Sequence, residues 1–234
     1  MHIFLFLIGT ELSNPNRRML GDEQLNLLSN SINNSSTWQV LGQQVLMARM
    51  FVPAELLINL GASPEVLQTI ITELLTIRAR IDAGDPTLTP QEIGRITTVA
   101  PYNLDAWDGY AVERERVLSL FEGKRVVNLA GDTHNACFLN ITDLQGNTVA
   151  TELASLSVSF PGFESFLNLT TPEAIQGFQF ALESLITCLM YTDSSQRGFL
   201  TVSFTQSGAT AEWRFIDNLG SDVYNLLVGR TETI

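Results

Sequence analysis

The spacing of apolar residues predicts several helices along the chain. Apolar side chains recur every three or four residues, the period of a helix buried on one face, in residues 22–33, 64–83 and 172–186. Ser63 with Pro64 is typical of a helix start, and Gly84 is typical of a helix end. These three stretches are therefore expected to be helical.

Between the second and the third of these helical stretches, the spacing of apolar residues changes twice. Residues 85–103 have no sustained period and are expected to be rich in loops. Asp108 is then expected to be the N-cap of a helix that runs to about Phe121.

Short apolar runs between turn residues predict strands. They are residues 125–130, 138–142, 148–159, 198–204 and 210–216, and a further buried strand is expected within residues 39–49. The apolar start, Met1–Ile8, is also expected to be a buried strand. Because tight hairpins and helical crossovers both occur, the pattern favours a mixed sheet sandwich with outer helices.

Composition narrows the functional classes. The 234 residues are 45% hydrophobic and 16% charged, which is typical of a well-buried globular protein. The net charge is −12, so nucleic acid is not expected as a partner. Residues 1–8 are too short to span a membrane, and no membrane span is expected.

The chain has two cysteines, Cys137 and Cys188, and the sequence does not fix the distance between them. A disulfide and two buried thiols are therefore both possible interpretations.

The chemically most informative segment is Gly131-Asp132-Thr133-His134, which directly follows the strand predicted over residues 125–130. Ligands bind at the carboxyl ends of strands in open α/β sheets. Side chains two residues apart in an extended segment leave on the same side, so Asp132 and His134 are expected to reach metal ions in one cleft. A carboxylate with an imidazole suits zinc, iron or manganese. The alternative is a turn aspartate beside a core histidine.

Several segments together resemble the PhoD-like alkaline phosphatases of the calcineurin-like metallophosphoesterase superfamily. Each segment is weakly specific, but their order and spacing together carry the resemblance. They are Arg18–Gln24, Trp38–Val45, Asp105–Tyr110 with Arg114, Gly131–His134, Val149–Leu153, Ser157–Gly162, Gln196–Phe199 and Ala211–Phe215.

The resemblance implies a two-sheet αββα sandwich and a phosphoric ester hydrolase that uses metal-activated water. It implies a dinuclear iron and calcium centre, with Asp132 and His134 as metal ligands and catalytic residues. It also implies that Asn103, Asp105 and Trp107 lie at the rim of the site and bind a phosphate ester. For these three residues, loop packing is the alternative.

The resemblance covers the later half of the family's catalytic domain. Residues 1–234 are therefore expected to form a single, partial metallophosphatase domain that lacks the N-terminal half. The alternative function is a catalytically inactive remnant with an incomplete metal centre, because two side chains supply few of the donors that such a centre needs. Self-association through an exposed apolar face is expected. Family members are often exported, but no targeting signal is seen, and the compartment stays open.

Overall fold

A computed structural model describes residues 12–32 and 36–234, so the strand expected over Met1–Ile8 lies outside the described residues. In chain order the helices and strands are α1 (Asp22–Ser31), β1 (Gln39–Gly42), β2 (Phe51–Pro53), α2 (Ala54–Ile58), α3 (Pro64–Asp82), α4 (Pro90–Thr97), β3 (Val99–Pro101), a 3₁₀ helix (Trp107–Tyr110), α5 (Ala111–Ser119), β4 (Val126–Ala130), β5 (Ala136–Thr142), β6 (Thr148–Ala154), α6 (Phe163–Phe166), α7 (Pro172–Leu185), β7 (Leu189–Asp193), β8 (Gly198–Phe204), β9 (Ala209–Ile216) and β10 (Leu226–Thr233).

The helices predicted from apolar spacing are confirmed as α1, α3 and α7. Gly84 follows α3 with a φ of 67°, a left-handed conformation that glycine adopts without steric cost. The hydroxyl of Thr171 accepts a hydrogen bond from the amide of Ala174 and so caps the start of α7.

The expectation of a loop-rich segment over residues 85–103 is wrong in its second half, which contains α4 and β3. Thr89 and Glu92 form a capping box: the Thr89 hydroxyl accepts from the Glu92 amide, and the Glu92 carboxylate accepts from the Thr89 amide. These reciprocal bonds satisfy amides at the helix start, which explains why so short a segment is helical.

The helix predicted from Asp108 to about Phe121 needs a correction. Asp108 lies inside the 3₁₀ helix, and Tyr110 is the N-cap of α5. The Asp108 carboxylate instead accepts a hydrogen bond of 2.9 Å from the amide of Met50, so a long-range contact replaces the local cap.

Five strands form one mixed sheet in the order β1-β4-β6-β5-β7. Strands β1, β4 and β6 run parallel, whereas β5 is antiparallel to both of its neighbours. A second, antiparallel sheet has the order β10-β9-β8, and β2 pairs with β3. The carboxyl ends of the three parallel strands therefore meet at one edge of the larger sheet.

Apolar side chains cover both faces of the larger sheet. One face shares a buried cluster with the three-stranded sheet, in which Val127 and Leu153 meet Trp213 and Phe215. The Trp213 indole donates a hydrogen bond of 2.8 Å to the carbonyl of Ala154, which links the two sheets through a polar contact as well. The other face packs against helices through a second cluster that includes residues of α5.

Within the described part of the chain, no helix combines the length and the apolar character needed to cross a bilayer.

Candidate active site

The Gly131–His134 loop lies at the edge of the larger sheet where the parallel strands end. The carbonyl of Gln44, just after β1, accepts hydrogen bonds from the amides of Gly131 (3.0 Å) and Asp132 (2.9 Å). On the other side, the amide of Ser155 after β6 donates to the carbonyl of Ala130 at 2.8 Å. The loop is thus held between the chain segments that leave the two neighbouring strands.

The conformation of this loop differs from the one expected. Asp132 and Thr133 lie in a turn, and His134 has a φ of 57° with its amide 3.3 Å from the carbonyl of Gly131. The segment is therefore not extended, and the side chains of Asp132 and His134 are not placed on one side by strand geometry. A left-handed conformation is uncommon for a histidine and points to a functional or packing constraint.

Neither predicted ligand is enclosed in the core. Asp132 is exposed and His134 is half-buried. The His134 ring lies 5.0 Å from the ring of Phe160, centroid to centroid, at an angle of 59°. This aromatic contact limits the positions that the imidazole can take.

Asn135 supports the loop from inside the protein, and no sequence motif marks it as a functional residue. It is fully buried; its amide nitrogen donates to the carbonyl and to the hydroxyl of Thr133, the latter at 3.0 Å. Its side-chain oxygen accepts from the amide of Phe163 at 3.1 Å. Asn135 therefore connects the loop to the start of α6.

Tyr102 is a second neighbour of the loop that sequence reasoning missed. Burial raises the pKa of Tyr102 to about 12, and the negative charge of Asp132 contributes in the same direction, while a hydrogen bond with Thr133 opposes it. The Tyr102 ring also contacts Phe163 at 6.0 Å between centroids. At neutral pH Tyr102 is therefore a protonated phenol beside the loop.

The three residues expected at the rim occupy different environments. Asp105 is exposed and Asn103 is half-buried, with the Asn103 side-chain oxygen accepting from the Asp105 amide at 2.9 Å. Trp107 lies inside the protein rather than at the rim, because it is only 2% exposed and belongs to the helix-facing core cluster. Its indole donates a hydrogen bond of 2.6 Å to Gln43.

Two buried carboxylates fix the chain segment between β1 and β2. Glu152 accepts from the amides of Met47 (2.8 Å) and Ala48 (2.7 Å), and Asp108 accepts from the amide of Met50. Burial raises the pKa of Glu152 and of Asp108 to about 7 each. Both acids stabilise the segment that follows Gln43 and Gln44, so they act on the candidate site from a distance.

The two cysteines are free thiols in the core, so the open disulfide alternative does not hold. Cys137 lies on β5 with its sulfur 3.5 Å from the Thr192 hydroxyl, and Cys188 donates to the carbonyl of Arg49 at 2.8 Å. Burial raises the pKa of each thiol to about 12, which disfavours the thiolate that a metal would need.

The described residues of the candidate loop, Asp132 and His134, supply only some of the donor atoms that a metal ion needs. Carboxylate oxygen and imidazole nitrogen suit iron, and the carboxylate also suits calcium. No group of three or more His, Cys, Asp or Glu side chains suited to a metal occurs in residues 12–32 and 36–234. Asp132 and His134 could therefore bind a metal ion only together with water or with donors from elsewhere.

The fold is that of an α/β protein, and the Gly131–His134 loop forms a candidate anion- or metal-binding site at one edge of its larger sheet. Comparison with known proteins assigns the family. The model of the PhoD-like phosphatase family matches residues 7–213, so the chain belongs to this family.

Two relatives agree with this assignment. Alkaline phosphatase D of Bacillus subtilis (strain 168) is 29% identical over 135 residues, which are 56% of this chain and 16% of that protein. A solved structure described as "Structure of PhoD" is 19% identical with a TM-score of 0.60, and the similarity covers 94% of this chain and 34% of that one. The chain thus spans a small part of each relative, and the likeness in structure confirms the mixed α/β fold.

Proposed function

We propose that this chain is part of a phosphoric ester hydrolase of the PhoD-like alkaline phosphatase type that depends on metal ions and uses metal-activated water. The observation that carries the proposal is the position of the Gly131–His134 loop. It lies within the matched residues, at the carboxyl ends of parallel strands, with an exposed carboxylate.

In this proposal Asp132 and His134 are metal ligands and catalytic residues, with iron and calcium as the ions. A bound metal would neutralise the phosphoryl oxygens and lower the pKa of a water molecule. Asp132 contributes a negative oxygen donor and His134 a neutral nitrogen donor. The Gln44 carbonyl and the Phe160 ring hold the backbone and the imidazole in place.

Asn103 and Asp105 remain candidates for binding the phosphate ester. Because the Asn103 side-chain oxygen accepts from Asp105, its amide nitrogen is the atom that could donate to a phosphoryl oxygen. The exposed carboxylate of Asp105 would repel an anionic substrate unless a cation lies between them. For Trp107 we propose an indirect role, through its hydrogen bond to Gln43.

We infer that residues 1–234 form a single, partial domain whose two larger sheets belong to an αββα sandwich. The apolar cluster shared by the two sheets supports this inference, as do the helices on the outer face of the larger sheet.

The second candidate function is a remnant without catalytic activity. The specific observation that favours it is the partial donor set among the described residues. Two side-chain donors leave most positions of a metal ion to water, which lowers affinity.

An activity assay with matched variants tests the hydrolase. The purified chain is assayed with p-nitrophenyl phosphate in the presence of iron and calcium. Turnover should be lost in Asp132→Asn and in His134→Ala and kept in Glu122→Gln, which removes an exposed carboxylate before the start of β4, at the opposite end of that strand from the loop. Unchanged turnover in both loop variants would contradict the ligand roles.

Metal analysis of the same preparations separates the two functions. The hydrolase predicts bound metal that decreases in Asp132→Asn and His134→Ala. The remnant predicts well under one ion per chain in the wild type and no turnover.

For partners, we propose self-association and no binding of nucleic acid. Strand β10 is exposed along most of its length and carries apolar side chains, with Leu227 56% and Val228 55% exposed. Since β10 is an edge strand, a second copy could extend the sheet. Sedimentation velocity at several concentrations tests this, and a monomer at all of them would contradict it.

A further inference from the structure

An open cavity lies at the sheet edge opposite to the Gly131–His134 loop. Its volume is about 570 Å³, and Thr142 and Thr148 are among the residues that line it. Thr142 ends β5 and Thr148 begins β6, whereas the loop follows the end of β4, which is parallel to β6. The cavity is therefore separate from the candidate active site, and it has the size of a small-molecule site.

The charged side chains of this cavity have one sign. Arg49 and Arg78 both line it, and no acidic residue is among its lining residues in the described part of the chain. The chain as a whole has a net charge of −12, so a region with two arginines and no carboxylate is unusual for it. The guanidinium N–H donors on the cavity wall favour an anion.

Each arginine is held by a carboxylate that does not line the cavity. Arg49 donates from Nη2 to Glu115 at 3.0 Å, and Arg78 donates from Nε to Asp82 at 3.1 Å. A guanidinium has five N–H donors, and the remaining donors of both arginines have no hydrogen-bond partner within the residues that the structure describes. Each side chain is thus paired through one of its donors and still has donors for an anionic group.

The remaining wall divides into polar and apolar parts. Side chains that make no hydrogen bond within the described chain supply neutral polar groups; they are Asn140, Thr142, Thr148 and Thr187. Aromatic and aliphatic side chains form the apolar part, which consists of Phe51, Ile96, Val99 and Leu185. An inorganic anion would leave this apolar surface uncovered, so the wall suits an anion that carries an apolar group.

We propose that this cavity binds a small organic anion with an apolar body, and that Arg49 and Arg78 hold its anionic group. Arginine suits this role because its planar fork donates two parallel hydrogen bonds to carboxylate, sulfonate or phosphate oxygens. The apolar wall covers the body of the ligand. This binding function is additional to the proposed hydrolysis and involves none of the residues assigned to it.

Titration calorimetry of the full chain with naphthalene-1-sulfonate tests the proposal. This probe combines an anionic group with an apolar body and is not a phosphate ester. We expect saturable binding that Arg78→Gln weakens by about tenfold, because a charge-assisted contact is lost. Arg116→Gln is the matched control: it removes the same charge at an exposed position on α5 and should leave the affinity unchanged.

Two further measurements make the outcome decisive. The neutral analogue 1-naphthalenemethanol should bind at least about tenfold more weakly than the sulfonate. Val99→Trp, at a position that is 40% exposed, should fill the cavity and abolish binding while circular dichroism shows an intact fold.

The proposal would be overturned if the wild type did not bind the sulfonate, or if Arg78→Gln or Val99→Trp bound it as tightly as the wild type. It would also be overturned if the neutral alcohol bound to the wild type as tightly as the sulfonate. Hydrolysis of p-nitrophenyl phosphate is measured in the same variants. Since none of them alters the Gly131–His134 loop, a failure of this proposal is distinguishable from a failure of the proposed hydrolase.

Discussion

The indole nitrogen of Trp107 donates a hydrogen bond of 2.6 Å to the side-chain oxygen of Gln43. Gln43 directly follows β1, and the carbonyl of the next residue, Gln44, accepts hydrogen bonds from the amides of Gly131 and Asp132. The bond therefore links the 3₁₀ helix to the segment that holds the candidate loop. Trp107 can support the site from inside the protein without reaching its surface.

Trp107→Phe should lower the free energy of unfolding by about 1–3 kcal/mol, because the Gln43 oxygen loses its donor. The side-chain nitrogen of Gln43 is already buried without a partner, so the variant leaves both polar atoms unpaired. Urea denaturation measures the change, and the exposed Tyr224→Phe serves as the control.

Adding Gln43→Met to Trp107→Phe should recover part of the lost stability, since an apolar side chain has no unpaired polar atoms. A double variant no more stable than Trp107→Phe would show that the lost indole volume, not the hydrogen bond, causes the change.

Gly162→Ala should destabilise the protein by about 1–3 kcal/mol through overpacking. A Cβ at this position would lie 2.5 Å from the Asn135 side-chain oxygen and 2.6 Å from the backbone carbonyl of Ser194. Because Asn135 holds Thr133, the loop should also shift, and chemical shifts of the His134 ring protons would report it.

Gly177→Ala is the matched control for that substitution. Gly177 lies inside α7, where a Cβ would meet nothing within 4 Å, so alanine should stabilise the helix by about 0.5–1 kcal/mol. Equal effects of the two substitutions on thermal unfolding would contradict the predicted clash at Gly162.

The free energy of unfolding should fall as the pH rises from about 4.5 to about 7. Burial raises the pKa of Glu152 from 4.5 to about 7, so within this range the folded state binds more protons than the unfolded state. Asp108 contributes in the same direction for the same reason. Urea unfolding at pH 5 and pH 7 measures the difference.

Glu152→Gln should reduce this difference, because it removes one of the two titrating groups. Glu122→Gln, at an exposed position, should leave it as in the wild type. If the free energy of unfolding changes equally with pH in the two variants, the change in stability has another origin.

His134→Asn should separate metal binding from folding. Asparagine tolerates the left-handed conformation that His134 adopts at a φ of 57°, so the free energy of unfolding should change by less than about 0.5 kcal/mol. Binding of Mn²⁺, which suits carboxylate and imidazole donors, should weaken by at least about tenfold. Calorimetric titration measures it, and an affinity for Mn²⁺ equal to that of the wild type would remove His134 from the ligand set.

The sequence alone was sufficient where the decisive interactions are local. Ser63-Pro64, an apolar helical period and Gly84 define α3, and the alternating hairpin over residues 198–216 defines β8 and β9. The capping box at Thr89 and Glu92 was also a local signal, and it could have identified α4.

The support of the candidate site depends on contacts between residues far apart in the chain. Met47 and Glu152 are separated by 105 positions, and Trp107 and Gln43 by 64. Asn135 has no distinctive local pattern, although it holds the loop. Spacing along the chain contains no information about such pairs.

The sequence by itself determined the main helices and the strand before Gly131, because backbone propensity and apolar patterning act over a few neighbouring residues. The family resemblance was also readable from the sequence, since it depends on the order and spacing of short segments. Only the tertiary structure decided that Asp132 and His134 lie in a turn, that Trp107 is enclosed and that Glu152 is buried. These outcomes follow from packing and sheet register, which bring distant segments together and desolvate their polar groups.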